Sequence, residues 1–177
     1  MSRLIEGNPT SAVQVLIYED LQCPDCRNFH HWLQRRLLPT YGDRVAFLHY
    51  DFPLPQHDWA RPAAIAAKHF DAAGLGARFR RQILDEIPLI TADSLKAWIA
   101  EFASSHNASP EAALEALASA QLAAAVDADS ASGLARGVQK TPTVFVNNQA
   151  FVERFSYEEL ATALDQALLS LPQEASQ

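Results

Sequence analysis

The chain has 177 residues, of which 49% are hydrophobic and 20% are charged, and its formal charge is -7. This length suits one domain that buries a core of its own, and the acidic balance argues against a nucleic-acid surface, which needs clustered Lys and Arg. No run approaches the roughly 18 apolar residues of a membrane-spanning helix. We therefore expect an ordinary soluble globular protein.

The first residues, MSRLIEGNPTS, lack the apolar segment of a secretory signal peptide. The sequence as written therefore predicts a cytoplasmic protein, whereas a chain trimmed from a longer exported protein would be periplasmic or extracellular. Cytosolic thiols are kept reduced, so a disulfide in that compartment is usually transient and catalytic.

The first half of the chain predicts a strand, a helix and a second strand. A nearly unbroken apolar run at residues 12–18 predicts a strand that is buried on both faces of a sheet. The helix is expected to begin after Cys23, because Pro24 suits the first helical position, and to end at Pro39. Residues 45–51 predict the second strand. These elements form a βαβ unit, whose strands pair in parallel through a right-handed crossover.

The middle of the chain, residues 58–137, predicts an all-helical block. Ser, Thr and Asp mark helix starts there, Gly and Pro mark helix ends, and the Ala-rich composition favours helix. Five helices are expected, with these boundaries: Asp58 to Gly74, Gly76 to Ile87 before Pro88, a start at Thr91 or Asp93, a start at Ser109-Pro110-Glu111, and an end at Arg136 before Gly137.

The last part of the chain predicts two strands and a helix. Residues 141–146 are typical of a strand with a proline near its entrance, where a missing N–H is tolerated. The turn at Asn147 and Asn148 returns the chain as a hairpin. Ser156, with Glu159 three residues later, forms a capping box that opens the final helix.

Cys23 and Cys26 are the only cysteines in the sequence, and Pro24 and Asp25 lie between them. Two thiols at this spacing can close on each other, bind a metal or fill a core. Cys23 falls at the predicted helix start, where free backbone N–H groups and the positive end of the helix dipole stabilise a thiolate. Since the thiolate is the attacking species in disulfide exchange, this position favours a redox role.

Three segments together resemble the DsbA-like branch of the thioredoxin-fold superfamily, a group of thiol-disulfide oxidoreductases. They are YEDLQCPDC at residues 18–26, FPLP at residues 52–55 and KTPTVFVN at residues 140–147. The resemblance spans nearly the whole chain. It implies an α/β thioredoxin fold, βαβ plus ββα around a central mixed sheet, with an all-helical insertion. The single domain of residues 1–177 would then consist of a thioredoxin core, residues 12–57 and 138–171, and an insertion, residues 58–137.

The resemblance also implies a role for individual residues. Cys23 would be the exposed nucleophile and Cys26 the buried resolving thiol. Pro142 would follow a cis peptide bond and lie against the two cysteines, which turns the backbone of Thr141 towards an extended substrate segment. Gln22 is a further candidate for substrate binding.

The partners and cofactors implied by the resemblance follow from the same reaction. The substrates would be proteins or small molecules that carry thiols or disulfides, and a redox partner protein would recycle the site. No cofactor is expected besides the redox-active disulfide itself, with glutathione open as a co-substrate. No nucleic acid and no membrane span are expected.

Three residues near the cysteines are candidates for tuning the redox pair. Pro24 and Asp25 lie between the sulfurs, and the negative charge of Asp25 should oppose formation of the Cys23 thiolate. We therefore expect a pair that is less oxidising than the strong oxidases of this branch. Asp20 could relay the proton of Cys26 or simply cap the turn, and the sequence leaves both roles open.

A metal site is one competing interpretation. Cys23, Cys26, His30 and His31 offer two thiols and two imidazoles within nine residues. Structural zinc usually needs four ligands, commonly with a longer separation between the pairs. The simpler interpretation makes His30 a surface histidine, and we predict no metal.

Two other uses of the same fold also compete. A glutathione-dependent transferase or isomerase shares the helical insertion, but relatives of that kind generally do not need both cysteines. A binding or chaperone-like module would use Phe52, His49, His57 and Trp59 to line a groove near the cysteines. Core or loop packing explains each of these four residues more simply.

Overall fold

Five strands form one mixed sheet in the order β1-β3-β2-β4-β5. The computed structural model describes residues 3–171. The strands are β1 (Ile5–Gly7), β2 (Gln14–Glu19), β3 (Ala46–Asp51), β4 (Thr143–Val146) and β5 (Gln149–Val152). The helices are α1 (Pro24–Trp32), α2 (Leu38–Tyr41), α3 (Ala60–Ala72), α4 (Gly76–Asp85), α5 (Leu95–Ser105), α6 (Pro110–Ala116), α7 (Ala120–Ala135) and α8 (Tyr157–Leu169). None of the helices in the described range is long and apolar enough to cross a membrane.

The pairing of β2 with β3 confirms the predicted βαβ unit. The two strands run parallel, with Gln14 opposite Ala46 and Glu19 opposite Asp51, and β4 and β5 form an antiparallel hairpin beside β2. Helices α3 to α7 all lie between β3 and β4 in the chain. The predicted fold class is therefore confirmed: βαβ followed by ββα around a mixed sheet, with an all-helical insertion.

The edge strand β1 was not predicted. It spans only Ile5–Gly7 and pairs antiparallel with β3, and three residues are too few to show an alternating pattern. The predicted thioredoxin core begins at residue 12, so β1 adds a strand to the sheet from residues before that core. The division into a core of residues 12–57 and 138–171 and an insertion of residues 58–137 stays a prediction.

Strand alternation divides the side chains of β2 between the two faces of the sheet. Val15 and Ile17 are buried in one apolar cluster with residues of α1, α2 and α8, and Glu19 points to this same face. Tyr18 points to the other face, where α7 comes so close that a Cβ on Gly133 would lie 3.0 Å from the tyrosine ring. The sheet thus has helices on both faces.

The apolar core of the insertion reaches the two cysteines. Phe79 stacks on Phe70 with ring centroids 4.7 Å apart, and Phe102 meets Phe79 edge-on at 5.1 Å. Cys23 and Cys26 belong to the same buried cluster as these rings. The insertion therefore supplies the apolar surroundings of the thiols.

The first helix does not end at Pro39, as the sequence predicts. Leu33–Leu37 form a π turn, in which the N–H of Leu38 donates to the carbonyl of Leu33 five residues back, and α2 then continues to Tyr41. In a regular α-helix the proline ring would press on the carbonyl four residues earlier. The wider π turn relieves that conflict, so the helix changes its winding instead of ending.

The prediction that Asp58 caps α3 is wrong. The N-cap residue is Trp59, which makes no side-chain cap hydrogen bond, and its own N–H donates to Oε1 of Gln22 at 2.8 Å. A contact across 37 positions thus fixes the start of α3, and the local sequence does not show it. Ser109 and Ser156 cap α6 and α8 as predicted, with Ser156 in a complete capping box.

Two further helix boundaries differ from the prediction. Pro88 lies inside a short 3-10 turn, Ile87–Leu89, because α4 has already ended at Asp85. Helix α5 begins after Ser94, whereas the sequence predicts a start at Thr91 or Asp93. The hydroxyls of Thr91 and Ser94 each accept the other residue's backbone N–H in the turn that precedes the helix.

Candidate active site

The two cysteines occupy the first turn of α1, directly after β2. Cys23 is the N-cap residue in an extended conformation, and Pro24 takes the first helical position. The N–H of Cys23 donates to the carbonyl of Asp20 at 3.1 Å, which ties the helix start to the end of the strand. Both thiols are free. Cys26 is fully buried, whereas Cys23, predicted to be exposed, is only 6% exposed.

The surroundings of the two sulfurs separate their pKa values. A hydrogen bond from the Cys26 thiol lowers the pKa of Cys23 to about 6, helped by the backbone N–H groups of Cys26 and Asp25, although burial acts in the opposite direction. Burial and the neighbouring Cys23 sulfur raise the pKa of Cys26 well above that of a free thiol. Above about pH 6 the reduced pair therefore carries one negative charge, on Cys23.

The ionisation of Cys23 is directly measurable. Its pKa of about 6 lies below that of an unfolded thiol, so the thiolate adds stability that is complete above about pH 8.5 and is lost as the pH falls through 6. We expect the ultraviolet thiolate absorbance of the reduced protein to titrate with a midpoint near pH 6. We also expect the unfolding free energy of the reduced wild type to rise relative to that of Cys23→Ser as the pH increases from about 6 to about 8.5. A midpoint above 8 would contradict the geometry.

The backbone and the side chain of Asp25 act on Cys23 in opposite directions. Its N–H lowers the pKa of Cys23, while its carboxylate is expected to raise it by repulsion. We therefore expect Asp25→Asn, which keeps the N–H, to lower the midpoint of the thiolate titration. An unchanged or higher midpoint in this variant would show that the carboxylate has no part in tuning the pair.

The loop before β4 closes the site from the other side. The peptide bond between Thr141 and Pro142 is cis, and both residues are buried. The carbonyl of Thr141 accepts a hydrogen bond from the protonated Cys23 thiol at 3.4 Å, so this loop contacts the Cys23 sulfur directly. The N–H of Glu153 donates to the carbonyl of Pro142 at 2.8 Å, which fastens the loop to the end of β5.

Asp20 holds several parts of the site together. Its backbone N–H donates to Cys26 Sγ at 3.3 Å. Its buried carboxylate accepts hydrogen bonds from the N–H of Gln22 at 2.7 Å, from the N–H of Leu54 at 2.7 Å, and from Nδ1 of His57 at 2.8 Å. Burial raises its pKa against these hydrogen bonds. This arrangement favours the turn-capping role of Asp20 over a proton relay.

The segment after β3 is fastened beside the cysteines by two side chains of the strand-to-helix turn. Asp20 binds the backbone at Leu54, and Gln22 binds the backbone at Trp59. Phe52 and Trp59 are buried. These contacts favour loop packing over an open groove, and they use the side chain of Gln22 for structure.

The two histidines of α1 lie in different surroundings. His30, expected at the surface, is 2% exposed, because it shares the buried face of α1 with Cys26, and burial lowers its pKa to about 4. His31 is half-exposed and lies 2.7 Å from Asp85. Within residues 3–171, no group of three or more His, Cys, Asp or Glu side chains is placed to hold a metal ion.

A buried line of three ionisable residues lies under α1, and sequence reasoning missed its role. His49 on β3 is fully buried, with Nδ1 2.8 Å from Glu19 Oε1 and Nε2 3.1 Å from Glu6 Oε2. Burial opposes a charge on this ring, but the two carboxylates raise the pKa of His49 to about 9. The only sequence signal was the presence of charged residues inside apolar strands.

A second buried group of charges joins the sheet to the insertion. Arg80 on α4 is fully buried and lies within 3.5 Å of Glu19, within 3.2 Å of Asp51 and within 3.0 Å of Asp71. Lys68 on α3 also bonds to Asp51, at 2.8 Å. The pairs with Glu19 and Asp51 cross from the strands to the helices and so hold the insertion against the sheet, while the pair with Asp71 joins α4 to α3.

A surface groove of about 390 Å³ lies next to the cysteines. Asp25 forms part of its edge, Trp32 and Phe155 supply aromatic walls, and Arg154 stands exposed at the rim. The ring centroids of Trp32 and Phe155 are 6.1 Å apart in an edge-on arrangement. The groove therefore combines aromatic surface with two acidic side chains, Asp25 and Glu153, and one arginine, Arg154.

Comparison with known proteins identifies relatives of this arrangement. A protein-family model described as Thioredoxin matches residues 2–166. No curated protein sequence matches the chain significantly.

Three solved structures illustrate the likeness of fold. A thioredoxin-like oxidoreductase from Silicibacter pomeroyi DSS-3 has a TM-score of 0.80 at 19% identity, and the match covers 96% of this chain and 94% of that one. Oxidised BdbD from Bacillus subtilis has a TM-score of 0.79 at 22% identity, covering 95% and 94%. The alpha-DsbA1 of Wolbachia pipientis has a TM-score of 0.82 at 15% identity, covering 94% and 91%. Likenesses at these identities show the fold.

Proposed function

The chain belongs to the thioredoxin family, and from that premise we propose that it is a DsbA-like thiol-disulfide oxidoreductase that exchanges disulfides with protein thiols through Cys23 and Cys26. The names of the structural neighbours, among them a thioredoxin-like oxidoreductase and two proteins of the Dsb and Bdb type, support the same class of reaction. Protein substrates and a redox partner protein are part of this proposal.

The observation that carries the proposal is the separation of the two thiol pKa values. Cys23 ionises at about 6 and Cys26 far higher, although the two lie three positions apart. Disulfide exchange needs one sulfur that attacks as a thiolate at neutral pH and a second that is held back until the mixed disulfide has formed. A pair that served only as core packing would gain nothing from an ionised sulfur.

The reaction follows from this asymmetry. In the reducing direction the Cys23 thiolate attacks one sulfur of a substrate disulfide, a bond forms between Cys23 and that sulfur, and the other substrate sulfur leaves as a thiolate. Cys26 then loses its proton and attacks Cys23, which releases the second substrate thiolate and leaves a Cys23–Cys26 disulfide. The oxidising direction is the reverse, and the two cysteines donate or accept two electrons.

The direction of electron flow depends on the reduction potential of the pair. A pKa of about 6 for Cys23 lies between the values of about 7 for thioredoxin and about 3.5 for DsbA. We therefore expect a potential between theirs, which are about -270 and about -120 mV. A value near the cytosolic glutathione potential would favour a reductase and agree with a cytoplasmic location, and a much higher value would favour an oxidase outside the cytosol.

Redox titration against glutathione tests the proposal. Trp59 is buried in the same cluster as both thiols, so its fluorescence should report the state of the pair. Turnover is measured with insulin as the protein disulfide, and glutathione alone gives the background rate. If the pair forms no disulfide in the titration, the proposed function is wrong. If it forms one but insulin is reduced no faster than by glutathione, the reductase direction is wrong.

A further inference from the structure

Glu153 has a backbone conformation that residues other than glycine rarely adopt. It directly follows β5 and has a φ of +53°, in the left-handed region where the Cβ of an L-residue crowds the backbone. The N–H of Arg154 donates to the carbonyl of Val152 at 2.7 Å, so the chain turns sharply around Glu153. A residue in such a conformation persists only where the surrounding structure holds it in place. The contacts of Glu153 show what holds it.

Glu153 is bonded to both ends of the loop that contains the cis peptide bond. Its N–H donates to the carbonyl of Pro142 at 2.8 Å, and its Oε2 accepts a hydrogen bond from Nζ of Lys140 at 2.7 Å. The loop is also closed on itself, because the hydroxyl of Thr143 donates to the carbonyl of Lys140 at 2.7 Å. A glycine at position 153 could make the first of these contacts, but only a side chain can make the second.

Thr141 lies between the two points that Glu153 holds. Its carbonyl accepts a hydrogen bond from the Cys23 thiol, and its N–H has no hydrogen-bond partner among residues 3–171. A free backbone N–H can pair with the carbonyl of an extended substrate segment, as in strand addition. The position of this N–H relative to the Cys23 sulfur then determines whether a paired substrate presents its disulfide to that sulfur.

We propose that Glu153 is a positioning residue for protein substrates. By holding Lys140 with its carboxylate and Pro142 with its N–H, it fixes the backbone of Thr141 where an extended substrate segment pairs beside Cys23. This inference rests on the proposed exchange reaction and concerns the binding of the substrate backbone, whereas the chemistry of the sulfurs is left unchanged. It explains why a glutamate occupies a conformation that glycine adopts at less cost.

The ion pair between Glu153 and Lys140 acts locally. The side chains of Lys140 and Glu153 are 59% and 35% exposed, and pairs in such positions contribute little to global stability. Loss of the pair should therefore loosen the loop without unfolding the protein.

A peptide whose single cysteine is joined to thionitrobenzoate separates binding from chemistry. The Cys23 thiolate attacks the peptide sulfur, a Cys23–peptide disulfide forms, and thionitrobenzoate leaves as a coloured thiolate, because the thiol of lower pKa leaves faster. Dithionitrobenzoate reacts with the same thiolate but has no peptide backbone. With reduced wild-type protein in a stopped-flow instrument, the rate should saturate as the peptide concentration rises.

Glu153→Gln and Lys140→Gln should weaken peptide binding alone. We expect the half-saturating peptide concentration to rise by up to about fivefold, the most that an exposed ion pair supplies. The limiting rate, the rate with dithionitrobenzoate and the midpoint of the Cys23 thiolate titration should stay as in the wild type. The double variant should bind no worse than either single variant, since both substitutions remove the same contact.

Two controls separate this role from a general structural one. Glu153→Gly and Glu153→Ala both lose the side chain and should both bind the peptide more weakly, but the glycine variant should melt at the higher temperature, because glycine adopts a positive φ without strain. Asp127→Asn breaks another exposed ion pair, with Arg61 on the helical insertion, and should leave peptide binding unchanged.

Several outcomes would overturn the proposal. They are an unchanged half-saturating concentration in Glu153→Gln, an equal loss of rate with dithionitrobenzoate, additive effects in the double variant, weaker peptide binding in Asp127→Asn, and a glycine variant that melts no higher than the alanine variant. If the reduced wild type releases thionitrobenzoate from neither reagent, the exchange function itself is wrong.

Discussion

Cys23→Ser is expected to abolish disulfide exchange, whereas Cys26→Ser is expected to stop the reaction at its covalent intermediate. In the wild type the Cys23 thiol has a pKa of about 6 and forms the attacking thiolate. Serine has no thiol, so no attack takes place in Cys23→Ser. In Cys26→Ser, Cys23 still attacks, and no second thiol is left to release the substrate. Insulin reduction should fall to the glutathione background in both variants.

Mass spectrometry of the intact protein distinguishes the two variants. After incubation with excess substrate disulfide, Cys26→Ser should gain the mass of one substrate thiol and lose it on treatment with dithiothreitol, while Cys23→Ser should stay unmodified. A stable adduct on Cys26 in the Cys23→Ser protein would reverse the assigned roles. Because Cys26 is fully buried, we expect no adduct to form on it.

Arg80→Met is expected to cost about 3–5 kcal/mol of unfolding free energy, the range for removal of one partner from a buried ion pair. The methionine has similar length but leaves Asp51, Asp71 and Glu19 without the cation that they share. For a chain of this size the melting temperature should fall by roughly 6 to 20 °C.

Arg61→Met provides the matched control. Arg61 also forms an ion pair with an aspartate, Asp127, but both side chains are about half exposed or more. Pairs of this kind contribute about 1 kcal/mol or less. Thermal unfolding of the two variants in the same buffer compares the sites directly. If Arg80→Met unfolds at the temperature of Arg61→Met, the buried charges do not hold the insertion on the sheet.

The order of elements was predictable because local signals agree with the tertiary structure. The apolar run before Cys23, the proline after it and the capping box at Ser156 all specify what the structure contains. The prediction that the first helix ends at Pro39 was wrong. A proline can end a helix, or a π turn before it can relieve the clash of its ring with the backbone, and the sequence alone does not show which of the two occurs.

The surroundings of the thiols were much less predictable. Glu6, His49 and Arg80 lie far apart in the chain and belong to no motif, and only the fold brings them to Glu19. A charged residue in an apolar strand shows that some partner must exist, since burying it alone is too costly. The identity of that partner is a property of the three-dimensional packing.

The π turn has a consequence for the surface that the first helix presents to the sheet. Phe29, Leu33, Leu37 and Tyr41 are each four positions apart, and all four are at most 4% exposed. In a uniform α-helix every such step rotates a side chain by about 40°, so the fourth member of the row would have turned about 120° away from the first. The extra residue in the turn cancels this rotation. A single continuous seam therefore runs from beneath the reactive cysteines to the far end of the helix, and deletion of one residue within Leu33–Leu37 should turn the last part of that seam towards water.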